Sequence, residues 1–198
     1  MLFRSRRYLA TAAAHLQHPP PTLTAIGGLS GTGKTTAARR IAPDLGAAPG
    51  AVILRSDEIR KRLAGVGPLQ RLPRETYTPQ SSAEVYAEMF RLAGRILAAG
   101  HSVVLDAVFL KPEERAAAEA VAHAAGAPFR GVWLQGVPEQ LRGRLAARTD
   151  DASDAGPAVV DEQLAADPGP IKWETFDADD PDRLAARIKT IAGGFPGA

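Results

Sequence analysis

Gly28-Leu29-Ser30-Gly31-Thr32-Gly33-Lys34-Thr35 satisfies every position of the pattern G-x-x-x-x-G-K-[ST], and residues of these types at this spacing make a cradle for phosphate. Glycines let backbone N–H groups turn inward, Lys34 can reach β- and γ-phosphate oxygens, and the Thr35 hydroxyl can ligate magnesium. Gly28, Ser30, Gly31, Thr32, Gly33, Lys34, Thr35 and Thr36 are therefore the expected nucleotide-binding residues, Thr35 also the expected metal ligand, and ATP with Mg2+ the expected cofactors. The flanks supply the context such a loop requires. Leu23-Thr24-Ala25-Ile26 reads as a buried strand and Thr36 to Ala42 as a helix, whose opening dipole favours the same anion.

Other groups along the chain could complete a phosphoryl-transfer site. In Arg55-Ser56-Asp57-Glu58-Ile59-Arg60 a carboxylate follows an apolar stretch. Asp57 could take the proton of an attacking hydroxyl, a contribution of about 10²- to 10⁴-fold in rate. Arg60, one helical turn on, could orient the acceptor or its phosphate. Asp106 closes Val103-Val104-Leu105-Asp106-Ala107 and could bind the acceptor or hold magnesium through water. Alanine follows it where a water-activating ATPase would carry a second acid, and the chain has no Asn-Lys-x-Asp guanine-specificity sequence. The pattern thus points to transfer onto a hydroxyl rather than to a hydrolysing motor or switch. Arg144 and Arg148 share a helical face just before the polar run Thr149 to Pro157, where a closing lid could carry guanidinium charge to the phosphates. Lys34, Asp57 and Arg148 are the catalytic candidates, Arg144 a further nucleotide contact, and Arg60 and Asp106 the substrate-binding candidates. Each also has a plain structural use: Asp57 and Glu58 complement a helix dipole, Asp106 caps a turn, and the arginines form a solvated face.

The elements that must position these residues alternate between strand and helix, in the manner of a parallel sheet covered on both faces. Ala51–Leu54, Ser102–Leu105, Gly131–Leu134 and Thr175–Phe176 read as strands two to five. Helices are expected over Ser56 to Leu63, with Ser56 as cap, and over Ser82–Ala98, Pro112–Ala125, Pro138–Arg148, Val159–Ala165 and Pro181–Ala192. In a doubly wound sheet ligands bind beyond the carboxyl ends of the strands, so Asp57 and Asp106 should point into the cleft that holds the phosphates. Glycine and proline preclude a regular element over Gly65 to Pro79, and a loop of that length is expected to face the substrate.

A chain of 198 residues that is 45% hydrophobic can bury one good core. The expected organisation is an N-terminal helix and Pro-rich linker over residues 1–21, with the helix at 3–17, followed by a single body over 22–198. It has no cysteine, so neither disulfides nor thiolate metal sites are possible. A net charge of +2 is too small an excess to argue for nucleic acid. No apolar run has membrane-spanning length and the N-terminus is too polar for a signal peptide, so no membrane association and a cytoplasmic location are expected.

Gly28 to Thr35, Ser56-Asp57 with Arg60, Val104-Leu105-Asp106 and Arg144 with Arg148 together resemble the kinase domain of 5'-hydroxyl polynucleotide kinases. That resemblance implies phosphate binding, a general base with an acceptor-phosphate clamp, an acceptor-side carboxylate and lid arginines. A closer likeness, over nearly the whole chain, is to the ATP-binding kinase-like half of bifunctional proteins whose other half looks like an aminoglycoside phosphotransferase. Ile26 to Lys34, Leu54-Arg55-Ser56-Asp57, Asp106 to Leu110, Ser153-Asp154-Ala155 and the run Gln163 to Trp173 carry it. This likeness implies a partner domain on the N-terminal side of residue 1, and supplies no substrate. The expectation is an α/β P-loop NTPase fold with a five-stranded parallel sheet, acting as an ATP-dependent phosphotransferase on a hydroxyl of a small-molecule acceptor. Two alternatives stand: a 5'-hydroxyl polynucleotide or nucleotide kinase, with a nucleic-acid 5' end as partner, and an ATP-binding regulatory module without transfer. Few aromatics are available to stack bases, which ranks the small molecule first.

Overall fold

The computed structural model describes residues 19–147 and 153–178, together with Arg6, Tyr8, Leu9 and Ala186. Apart from those four residues, the expected helices at 3–17 and 181–192 lie outside the described residues, as do the lid candidate Arg148 and residues 149–152 of the polar run.

Strands β1 (Leu23–Gly28), β2 (Val52–Arg55), β3 (Val103–Asp106), β4 (Phe129–Gln135) and β5 (Glu174–Asp177) form one sheet in the order β2-β3-β1-β4-β5. Every pairing is parallel, as expected of strands joined through crossover helices. The crossovers are α1 (Lys34–Ile41), α2 (Ser56–Leu63), α3 (Pro79–Ala98), α4 (Pro112–Ala124), α5 (Pro138–Ala146) and α6 (Pro157–Ala165).

Strand alternation explains why both faces are covered. Leu23 and Ala25 of β1, Val103 and Leu105 of β3 and Trp133 of β4 pack in one core with Val85, Met89 and Ala93 of α3 and Ala118 and Ala122 of α4. Their neighbours Ile26, Val104, Val132 and Leu134 point the other way, into a second core with Ala37, Ala38 and Ile41 of α1. Trp173 lies across the first face so closely that a Cβ on Gly131 would overlap its indole, and its Nε1 donates to Glu119 at 2.9 Å.

Several ends move from where periodicity puts them. α1 begins at Lys34 rather than Thr36, with Gly33 as N-cap at φ 84°. Ser56 is the first residue of α2 rather than its cap, a place taken by extended Arg55. α3 begins at Pro79, within the stretch read as irregular. There the Thr78 side chain accepts from the Ser81 N–H at 3.0 Å, while Ser81 Oγ accepts from the Thr78 N–H at 3.1 Å. Such a reciprocal cap, with proline at the first helical position, satisfies donors that a helix start otherwise leaves open. Strands β2 and β3 each run one residue later than expected, ending on Arg55 and Asp106, which pair in register.

Candidate active site

The phosphate loop leaves β1 and enters α1 through backbone that only glycine adopts readily: Gly31 has φ 87° and Gly33 φ 84°. Thr32 Oγ1 donates to Leu29 O at 2.8 Å and closes the turn. Lys34 Nζ lies 2.9 Å from both Gly28 O and Leu29 O, so its ammonium sits over the mouth of the loop. Thr35 Oγ1 donates to Asp106 Oδ2 at 2.6 Å. Asp106 is buried and also lies 3.4 Å from Arg55 Nε. Asp106, expected from the sequence to bind the acceptor or to hold magnesium through water, therefore stands beside the P-loop threonine.

Thr35 and Asp106 are both hard oxygen donors. Magnesium takes few protein oxygens and completes its shell with water and substrate phosphate, and this pair fits it. Among the described residues no group of three or more His, Cys, Asp or Glu could hold a metal without such help.

Asp57, in the first turn of α2, faces the same cleft as Lys34 and Thr35. Burial raises its pKa above the ordinary 3.8, and the nearby Asp106 carboxylate raises it further. A hydrogen bond with Ser153 and the charges of Lys34 and Arg55 pull the other way. Arg60, one turn on, donates to Ser81 Oγ at 3.1 Å and Ser82 Oγ at 3.2 Å, and lies 4.7 Å over the Tyr77 ring. These are neutral partners, so the guanidinium is oriented without its charge being cancelled. Leu72, Arg74 and Tyr77 of the 65–79 loop line the cleft. On the opposite wall Tyr86 OH accepts from Phe109 N at 2.8 Å and bonds the Glu114 side chain. Burial raises the Glu114 pKa.

The segment 153–165 is docked through residues whose partners the sequence did not reveal. Asp154 Oδ1 meets Lys61 Nζ at 3.1 Å, and its Oδ2 accepts from Leu72 N at 3.1 Å and Tyr77 OH at 2.7 Å. Gln163 of α6 bonds Ser30 of the P-loop through both ends of its amide. Arg74 pairs with Glu162, so α6 spans from the P-loop to the 65–79 loop. Arg144 NH1 lies 3.5 Å from Gly31 O and 3.3 Å from Ala178 O. It therefore stands against the outer side of the P-loop, whereas its expected companion Arg148 falls outside the described residues. Arg115, 4% exposed, donates to the carbonyls of Phe109, Leu110, Pro168 and Pro170. It thereby staples the loop after β3 to the segment after α6. The whole cleft encloses about 620 Å³.

Residues 23–168, carrying this loop, cleft and sheet, match the AAA domain family. The chain belongs to that family. Among its relatives are uncharacterized proteins of Mycobacterium tuberculosis and Mycobacterium bovis, 35% identical over 156 residues. The match takes in 75% of this chain but only 30% of theirs. Solved structures share the fold seen here. A sugar kinase from Janibacter is 21% identical, with TM-score 0.64 over 86% of this chain and 94% of its own. The APS kinase of Mycobacterium tuberculosis, solved with AMPPNP and APS, is 20% identical with TM-score 0.63 over 89% and 99%. Kti12 of Chaetomium thermophilum, solved with ADP-AlF3, is 17% identical with TM-score 0.60 over 85% and 96%. At these identities the likeness is one of fold: α/β, with a five-stranded all-parallel sheet and a P-loop. No described helix is long and apolar enough to cross a membrane.

Proposed function

We propose that this domain is an ATP-dependent phosphotransferase that moves the γ-phosphoryl group to a hydroxyl of a small-molecule acceptor. The observation that carries the reading is Asp57, a half-buried carboxylate that lines the cleft with Lys34 and Thr35 and whose pKa is raised by desolvation. A raised pKa makes a carboxylate a better proton acceptor at working pH. In the reaction the acceptor hydroxyl gives its proton to Asp57 as its oxygen bonds the γ-phosphorus. The bond to the β,γ-bridging oxygen breaks and ADP leaves. Lys34 and the loop amides hold the phosphates, and Arg60 orients the acceptor. Magnesium, held by Thr35 and Asp106, would neutralise charge on the β- and γ-phosphate oxygens. Structural neighbours named as sugar and APS kinases support small acceptors, and so does a cleft of about 620 Å³ that must hold both substrates.

The relatives extend well beyond the matched region; in this reading the domain works beside a second one, in the same chain or encoded separately. The test is a screen of γ-labelled ATP against pools of small polyhydroxyl compounds and 5'-hydroxyl oligonucleotides. Label in a small molecule supports the proposal. Label only in oligonucleotides replaces it with the polynucleotide kinase alternative.

A further inference from the structure

Ser30 is nearly buried in the P-loop, and its backbone N–H donates to Gln163 Oε1 at 2.8 Å. An N–H can only donate, so this contact fixes the orientation of the amide. The NH₂ end then faces Ser30 Oγ at 3.1 Å and donates to it. With a lone pair of Oγ occupied in this way, the Ser30 hydroxyl hydrogen is turned away from Gln163. Ser30 and Gln163 both line the cleft, together with Lys34 and Asp57. Loop amides and the start of α1 suit the β-phosphate. Lys34, the residue that reaches β- and γ-phosphate oxygens, holds its ammonium on the carbonyls of Gly28 and Leu29, directly before Ser30, so the γ-phosphate falls on the Ser30 side of the loop.

Gln163 is held firmly enough to do this. One turn earlier on α6, Val160 is fully buried against Leu141 and Leu145 of α5, and Asp161 accepts from Arg142 Nε at 2.9 Å and NH2 at 2.6 Å.

We propose that Gln163 is a positioning residue that aims the Ser30 hydroxyl at the γ-phosphate, so that the cleft prefers a nucleoside triphosphate to a diphosphate. The inference rests on the nucleotide reading of the P-loop but not on the acceptor, so it is tested by binding alone. Calorimetric titration of the whole chain with AMPPNP and with ADP, each with magnesium, compares wild type with Gln163→Leu, Gln163→Glu and Ser30→Ala.

Each variant should lose about tenfold in affinity for AMPPNP, the scale of one hydrogen bond to a charged group, and stay within about twofold for ADP. Gln163→Glu keeps an acceptor for the Ser30 N–H but cannot donate to Oγ. Ser30→Ala keeps the N–H on Gln163, and so leaves α6 docked; it carries the test where Gln163→Leu does not fold. Equal losses for both nucleotides would overturn the inference and reduce Gln163 to a docking contact for α6. Unchanged affinity for both would overturn it as well. A wild type that binds neither nucleotide overturns the P-loop assignment itself, whereas an unproductive acceptor screen leaves this result standing.

Discussion

Asp154→Asn should loosen the wall of the cleft that carries the 65–79 loop, because it leaves a buried ammonium without its counter-charge. Lys61 is 1% exposed and the Asp154 side chain 8%, so water can replace little of what is lost. Removing one partner of a buried pair typically costs 3–5 kcal/mol. Asparagine can still accept from Leu72 N or Tyr77 OH, which places the loss at the lower end, about 3 kcal/mol. In a domain of this size that corresponds to a fall of roughly 6–12 °C in melting temperature. Adding Lys61→Met to Asp154→Asn should recover part of the loss, since no charge is then left unpaired. Burial alone would raise the Asp154 pKa, but Tyr77, Leu72 and Lys61 outweigh it and hold it below 3.8. Its contribution is therefore complete above that value and lost as pH falls through the depressed one. Differential scanning calorimetry on the single and double variants reads the effect. A melting temperature within about 2 °C of wild type for Asp154→Asn, or a double variant less stable than the single one, would refute the reasoning.

Other expectations follow from the same contacts. Lys34→Ala should abolish ATP-dependent turnover while leaving the melting temperature nearly unchanged, because Lys34 Nζ meets loop carbonyls and not the core; thermal melts and turnover assays check both. Gly131→Ala drives a methyl into the Trp173 indole and should cost about 1–3 kcal/mol, measured by urea unfolding. The Asp57 pKa is raised, so its ionisation in the folded state opposes stability above that pKa and has no effect below the unfolded 3.8. Asp57→Asn should therefore raise the melting temperature at neutral pH, by an amount that shrinks as the pH falls towards 3.8.

The P-loop was legible because its chemistry is local: glycines for φ near +85° at Gly31 and Gly33, then lysine and threonine opening a helix. Asp57 and Asp106 were legible through a topological rule that sends strand ends to one cleft, and the β2–β3 register brings Arg55 opposite Asp106. The sheet's parallel character showed in its alternating apolar runs. The start of α3 departs from the expected irregular stretch because Thr78 and Ser81 cap it reciprocally and Pro79 suits the first helical position. Asp154 and Gln163 stayed hidden for a different reason. Their partners Lys61 and Ser30 are 93 and 133 residues away, and no local pattern encodes which residue of 153–165 will meet which wall. The contact of the Tyr86 hydroxyl with Phe109 N is equally invisible in the sequence, because it depends on the fold of a loop elsewhere.

The measurement that most directly tests the central claim is single-turnover transfer from γ-labelled ATP to the acceptor found by screening, with wild type and Asp57→Asn compared at saturating ATP. Removing a general base while nearly preserving shape should slow transfer by about two to four orders of magnitude, with ATP affinity little changed. A variant that transfers as fast as wild type would contradict the role of Asp57. Tight ATP binding with no hydroxyl labelled across the screen would contradict phosphoryl transfer itself, and leave the domain a nucleotide-binding regulator.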